Sequence, residues 1–508
     1  MKKILFLLIS ILIHTGTQQI LFAQNDDARI KNIKAALPVI DKIFKNHSVQ
    51  NPLPGLVYGL VVDGKLIHTG NMGYLNTTQK TPAGSKSAFR IASMTKSFTA
   101  MAIVKLRDEG KLRLDDPVDM YIPEIKGQKY LTTDAPVITI RHLLTHTAGF
   151  PEDNPWGDRQ LDVTDEELIN LIKNGISFSN VPGLTYEYSN LGFATLGYII
   201  KKVSGQSYQT YITEKILEPL GMTHTWWEYT KVPAKDLAHG YRWLNDKWVE
   251  EPLLHDGAYG AMGGMITTME DFSKYVSLHL SAWPARNDTD NGPVKRSSLR
   301  EMHFPWSMNG FYPQYKFPGG RNCSLASAYG YGLGWSKDCR ERIYIGHSGG
   351  LPGFGSNWKI VPDYGIGIIS FSNRTYAPTN NLNLQVLDTL IAMAKLKPRK
   401  LPVSDILNQR KAELIRLLPE WKDAENANLF AENFFMDYSI DFLIKETKIL
   451  FKQAGKIIHI RELIPENNLR GSFIMEGEHK DIEISFTLTP ENPPLIQEYR
   501  IKSREKSK

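Results

Sequence analysis

The strongest constraint on this chain is a serine and a lysine three residues apart at the start of an apolar helix. Residues Phe89 to Ala100 read Phe-Arg-Ile-Ala-Ser-Met-Thr-Lys-Ser-Phe-Thr-Ala, which sets Ser93 one turn ahead of Lys96. Side chains at i and i+3 share a helical face, so both polar groups point into whatever the helix packs against. The segment Phe98 to Leu112 continues with apolar residues at helical spacing, Ala102 and Leu106 among them, and reads as core. A hydroxyl becomes a covalent nucleophile only when another group takes its proton. A partly desolvated lysine is one of the few side chains suited to that. The spacing alone is not selective, because Ser356-Asn357-Trp358-Lys359 and Ser503-Arg504-Glu505-Lys506 repeat it. Context and two downstream partners single out Ser93.

The first partner is Tyr188-Ser189-Asn190, between a proline-glycine turn and an apolar helix over 190–203. A phenol titrates at about 10, and an adjacent ammonium favours its phenolate, which then accepts the Ser93 proton. The Asn190 side-chain amide is suited to hold a substrate carbonyl. The second partner is His347-Ser348-Gly349-Gly350, a strand of small residues along whose edge a substrate can lie. The Gly350 N–H, with that of Ser93, supplies an oxyanion hole reinforced by the helix dipole. Each motif has decoys, such as Tyr74-Leu75-Asn76 and His68-Thr69-Gly70. Only Ser93, Tyr188 and His347 in that order give helix start, loop and sheet edge.

With these residues in place, the chain resembles the serine beta-lactamase and penicillin-recognising enzyme family, on its class C side. The likeness spans roughly residues 30 to 395. It takes in Ile140-Arg141-His142-Leu143-Leu144-Thr145-His146-Thr147-Ala148-Gly149-Phe150, Leu217-Glu218-Pro219-Leu220-Gly221-Met222, Gly263-Gly264-Met265 and Tyr331-Gly332-Leu333-Gly334-Trp335. The resemblance implies an α+β, beta-lactamase-like fold: an antiparallel sheet flanked by helices, plus an all-helical subdomain, with the site between them. It implies Ser93 as acylated nucleophile, Lys96 as activator and Tyr188 as general base, the first proton acceptor being left open between the last two. It further implies Asn190, His347, Ser348, Gly349 and Gly350 as substrate-binding residues, and no metal or cofactor. Many lactamases and transpeptidases carry Lys-Thr-Gly where this chain has His347-Ser348-Gly349. A histidine near neutral pH is only partly charged, so weaker demand for a substrate carboxylate and little lactamase activity are expected. Arg321 and Arg374 are candidates to bind a carboxylate instead. The expected activity is cleavage of a peptide or amide (D-amino-acid peptidase or carboxypeptidase type) or an ester. Weak beta-lactamase activity and a sensor that captures penicillins or peptides without turnover are the alternatives.

At 508 residues the chain exceeds one ordinary domain. Its net charge of +6 is mild, and no basic tract is interleaved with aromatics, so nucleic-acid binding has no support. Lys2 and Lys3 before the apolar run Ile4 to Ile13 read as an export signal, cut after Ala23. A periplasmic or secreted location is therefore expected, with no membrane span once the signal is removed. The two cysteines, Cys323 and Cys339, either pair across a loop in an oxidising compartment or stand as unrelated thiols. His142 and His146 have helical metal-ligand spacing but no acidic residue between them, so no metal site is expected. The oligomeric state is not readable.

Four segments organise the chain: a signal over 1–23, a hydrolase domain over 24–395, a linker over 396–404 and a small C-terminal α+β domain over 405–508. An amphipathic helix is expected over 30–46 and strands around Leu56 to Ile67, Tyr344 to Ile345 and Ile366 to Phe371. The stretch 284–322, with Trp306, Phe311, Tyr312, Tyr315 and Phe317, is either a long surface excursion or an aromatic cleft wall. Beyond the linker, helices are expected over 405–418 and 427–454, then four strands. In one of those strands Ile482, Ile484, Phe486 and Leu488 alternate with more polar residues.

Overall fold

The sheet that carries the site is set by two strands with no exposed residue, β1 (Gly55–Val62) and, at the far end of the unit, Ile366–Ser372. A strand buried on both sides needs apolar cover on both, and alternation divides its side chains. Leu56 and Leu60 join Ile366 and Ile368 in one cluster; Val57 and Val61 join Ile369 and Phe371 in another. The computed structural model describes residues 27–399 and 403–506. The expected signal segment lies outside them, as does part of the expected linker.

The chain divides into two compact units, Met1–Lys397 and Pro398–Lys508. The first opens with helix α1 (27–50), whose Ile33, Ala36, Ile40 and Phe44 form one buried stripe at helical spacing. After β1 come β2 (Lys65–Asn76), α2 (Thr95–Asp108), α3 (Asn190–Ser204) and α4 (Met269–Ser281). A run of antiparallel strands follows: β3 (Ser307–Lys316), β4 (Asn322–Tyr329), β5 (Gly334–Asp338), β6 (Ile343–Leu351), β7 (Phe354–Val361) and β8 (Ile366–Ser372). Helix α5 (Thr379–Met393) then returns across the sheet. The nine strands run in the order Thr81–Pro82, β2, β1, β8, β7, β6, β5, β4, β3. Helices α1 and α5 cover one face, whereas α4 and the helices around α2 and α3 cover the other. This is the expected antiparallel sheet flanked by helices.

Two details position the site. Strand β5 pairs with β6 only from Lys337↔Ile343 to Gly334↔Gly346, so beyond Gly346 the β6 edge has no β5 neighbour. Cys323 and Cys339 are disulfide-bonded, tying β4 to the end of β5. The 284–322 stretch is no bare excursion: it holds the helix Arg296–Met302 and edge strand β3. Of the five aromatics named above, Trp306 stacks on Tyr331 with centroids 5.3 Å apart, Phe317 is buried, and Tyr312 lines a cavity beside the site.

The second unit contains α6 (Asp405–Leu417), α7 (Ile440–Ala454) and a five-stranded sheet. Ile482, Ile484, Phe486 and Leu488 are all buried there, on one face as their alternation requires. The helix expected over 427–454 is divided: a single short turn, Phe434–Asp437, precedes the long helix that starts at Ile440, where the Ser439 hydroxyl caps the Phe442 N–H. Upstream, Asn428 adopts a left-handed φ of 48° and the Ala431 N–H bonds the Ile496 carbonyl, which ties this part of the chain to the sheet. Among the described residues, no helix is long and apolar enough to cross a membrane.

Candidate active site

Ser93 sits in a short 3-10 turn, Ala92–Met94, that leads into α2. The residue before it, Ala92, has a φ of +52°, a region costly for a residue with a Cβ. Contacts on both sides hold this turn. The Ile91 N–H donates to the Met265 carbonyl at 3.0 Å, and the Thr95 hydroxyl donates to the Ala92 carbonyl at 2.7 Å. From the sheet, the Ser356 hydroxyl donates to the Ile91 carbonyl at 2.7 Å. Gly349 presses so closely that a Cβ there would lie 2.1 Å from the Ile91 carbonyl oxygen.

Lys96 is fully buried, with its Nζ 2.9 Å from Ser93 Oγ, 2.7 Å from Asn190 Oδ1 and 3.0 Å from the Met262 carbonyl. All three partners are neutral. Burial lowers its pKa to about 7, against the opposing pull of the Asp158 and Asp153 carboxylates. Nζ donates in all three contacts, to the Ser93 hydroxyl oxygen, the Asn190 amide oxygen and the Met262 carbonyl, and none of them supplies a negative charge to hold the ammonium form.

Tyr188 completes the group. Its ring centre lies 4.9 Å from Lys96 Nζ, and it lines the same cavity as Ser93. Burial drives the phenol well above its ordinary pKa, so it keeps its proton. The phenolate expected from the neighbouring lysine is therefore disfavoured, because the desolvation of that anion outweighs the attraction. His146 makes much of that environment. Its ring packs on Tyr188 at 4.3 Å and on Tyr329 at 4.6 Å, and its Nδ1 accepts the Ser189 N–H at 3.1 Å. Burial holds His146 neutral, and it packs under Tyr188 as a platform.

Asn190 opens α3, its backbone N–H and that of Leu191 donating to the Asp153 carboxylate at 2.6 and 2.9 Å. Its side chain has no exposed surface: Oδ1 takes Lys96, and Nδ2 donates to Asn154 Oδ1 at 3.1 Å. The structure thus places Asn190 behind Lys96 rather than in the cavity wall. His347, Ser348, Gly349 and Gly350 do reach the cavity, of about 440 Å3, that also exposes Ser93 and Tyr188. His347 Nδ1 donates to the Ser348 carbonyl, and the Tyr329 hydroxyl donates to Nε2 at 2.7 Å. Burial and the charge of Lys96 push its pKa down to about 3. The imidazole is neutral, not partly charged as the sequence suggests.

Neither arginine considered for a carboxylate lines this cavity. Arg321 is held by Asp338 and Asp388, and Arg374 donates to the Pro52 carbonyl. His142 is spent capping its own helix with Thr139, and among the described residues no cluster of three or more metal-ligating side chains occurs. Sequence reasoning missed Asp158, a 2 % exposed acid in the cavity wall that accepts the Tyr376 hydroxyl at 2.8 Å. It set Ser356 aside as a decoy of the serine-lysine spacing, and it missed Tyr329, which had no local signal.

Comparison with known proteins gives the family and the fold. The family model for beta-lactamase matches residues 40–391. Protein flp of Staphylococcus aureus (strain N315) is 30% identical over 392 residues, covering 73% of this chain and 69% of its own. The octameric penicillin-binding protein homologue from Pyrococcus abyssi superposes with a TM-score of 0.57 at 24% identity, over 92% of this chain and 99% of that one. A D-stereospecific amidohydrolase from Streptomyces superposes with a TM-score of 0.52 at 24% identity, over 66% of this chain and 94% of that one. A match over most of the chain, around a serine already in contact with a buried lysine, leads to one conclusion: the chain belongs to the beta-lactamase family of serine hydrolases.

Proposed function

We propose that the protein is an exported hydrolase that forms an acyl-enzyme on Ser93 and cleaves an amide, peptide or ester bond. The observation that carries this reading is Lys96, buried among neutral acceptors with its Nζ at the nucleophile. The neutral amine takes the Ser93 proton as Oγ attacks the carbonyl carbon. The oxyanion that forms is received by the backbone N–H groups of Ser93 and Gly350. Tyr188 gives its proton to the leaving amine or alkoxide and is reprotonated from Lys96, so its raised pKa suits it to be the donor. Water then attacks the acyl-Ser93 ester, losing its proton to the same pair, and the acid is released. The unpaired edge of β6 beyond Gly346 offers main-chain groups to an extended substrate. The Cys323–Cys339 disulfide supports an oxidising, extracytoplasmic location.

Intact mass after exposure to a fluorophosphonate tests this, with wild type beside Ser93→Ala. A single adduct absent from the variant is expected. No adduct on folded wild type would overturn the reading in favour of a binding protein without turnover. Parallel hydrolysis of a D-alanyl peptide and a short acyl ester then separates peptidase from esterase.

A further inference from the structure

A second cavity of about 500 Å3 adjoins the first, sharing Tyr186, His347, Ser348 and Asn380 with it. It lies where β5 and β6 part, at Gly334 and Gly346, and tyrosines and Trp335 make much of its wall. No carboxylate lines it, and Lys359 is its one ammonium or guanidinium. Lys359 is half-buried on β7, directly across the ladder from Gly346. With no side chain at 346, nothing on that partner position screens the lysine from the cavity.

Lys359 has no ion-pair partner among the described residues, although nearly every other buried or half-buried cation here has a carboxylate, carbonyl or hydroxyl. Burial lowers its pKa to about 8, with no acidic group opposing the shift. At neutral pH it therefore remains mostly protonated and uncompensated. Its charge is felt at His347, whose protonation it helps suppress. The amino end of α5 lies at the same place: Asn380 lines both cavities, and the first turn holds no acidic residue and no side-chain cap. That end of a 15-residue helix adds positive potential. A desolvated cation facing an acid-free cavity invites an anion.

We propose that Lys359 is the specificity residue for a substrate carboxylate, which it binds in the second cavity, adjoining the one that holds Ser93. The chain thereby places on β7 a cation that the neutral His347 cannot supply on β6. The substrate class is an ester or amide that carries a carboxylate on a flat or apolar body, matching the tyrosine-rich wall. This rests on the acyl-enzyme reading above, which fails separately if a neutral fluorophosphonate leaves Ser93 unlabelled.

Two matched pairs of esters test it on the full-length protein. In one, p-nitrophenyl hydrogen adipate is compared with its methyl ester, so the charge is on the acyl side. In the other, 4-acetoxybenzoate is compared with its methyl ester, so the charge is on the leaving group. In at least one pair the wild type should favour the anion in kcat/KM by about tenfold or more, the effect of a partly desolvated charge pair. Lys359→Met should abolish that preference, Lys359→Arg should keep most of it, and both should label at Ser93 at the wild-type rate. Absence of a preference in both pairs of the wild type overturns the proposal, whether or not any variant folds. So does a preference that survives in folded Lys359→Met.

Discussion

Two segments of this chain carry the same spacing, Ser93-Met94-Thr95-Lys96 and Ser356-Asn357-Trp358-Lys359, and the backbone sends them to opposite ends. On the helical turn into α2, residues three apart meet, and Lys96 lies 2.9 Å from Ser93 Oγ. On β7 side chains alternate, so residues three apart face opposite sides of the sheet. Ser356 turns beneath the nucleophile turn and bonds the Ile91 carbonyl, while Lys359 points away from it. One pair is brought into contact; the other splits into a brace and a charge with no ion-pair partner among the described residues. Spacing acquires chemical meaning only through the secondary structure that carries it.

The contrast breaks most sharply at Lys96. Lys96→Met removes the only buried amine at Ser93, and kcat/KM for a neutral ester should fall by about 10³-fold or more. Lys359→Met should leave that same neutral substrate within about twofold of wild type. Comparable losses in both, measured on folded proteins, would erase the distinction. Next in size is Tyr188→Phe, which removes the proposed proton donor. Hydrolysis of an anilide should drop by about 10²-fold, and that of an activated nitrophenyl ester by less, because its leaving group needs no proton.

The pH profile sharpens the comparison without a mutation. In the proposed mechanism Lys96 acts as the free amine, and its pKa is lowered to about 7. An amine is neutral above its pKa, so kcat/KM for a neutral ester should rise with pH and level off above about 7. A rate that falls as pH rises through 7 would contradict the assignment of Lys96 as base. The smallest effect is expected at Ser356→Ala. Leaving the Ile91 carbonyl without its donor should cost about 1–3 kcal/mol in a denaturant titration, while the fluorophosphonate adduct stays on Ser93.

Periodicity made much of this legible. The α1 stripe from Ile33 to Phe44, the alternation from Ile482 to Leu488 and the turn at Asp63-Gly64 between β1 and β2 are local patterns, visible without tertiary context. The Phe430, Phe434 and Phe435 cluster has helical spacing too, but its cover comes from Trp421 and the strand at Ile496, remote in sequence. At the site, residue types were legible and their charge states were not. The protonated Tyr188 and the neutral His347 owe their states to burial beside His146, Tyr329 and Lys96, which assemble only on folding. Asn190 is withdrawn from the cavity for a similar reason, since Lys96 and Asn154 take both ends of its amide. Lys359 did leave a trace, a lone charge within the otherwise apolar run Trp358 to Val361.

The close approach of Gly349 to the Ile91 carbonyl works as a ruler for the cleft. The hydrogen at that position lets β6 stand against the nucleophile turn. A methyl group would fall more than an ångström short of ordinary contact distance and would force strand and turn apart. Gly350, next along the same strand, would move with it, and misplacement of about an ångström at a reacting centre costs roughly 10²-fold in rate. The separation between the Ser93 turn and strand β6 is thus fixed by the absence of a side chain. Substitution at 359 can change what is bound while leaving that gauge untouched.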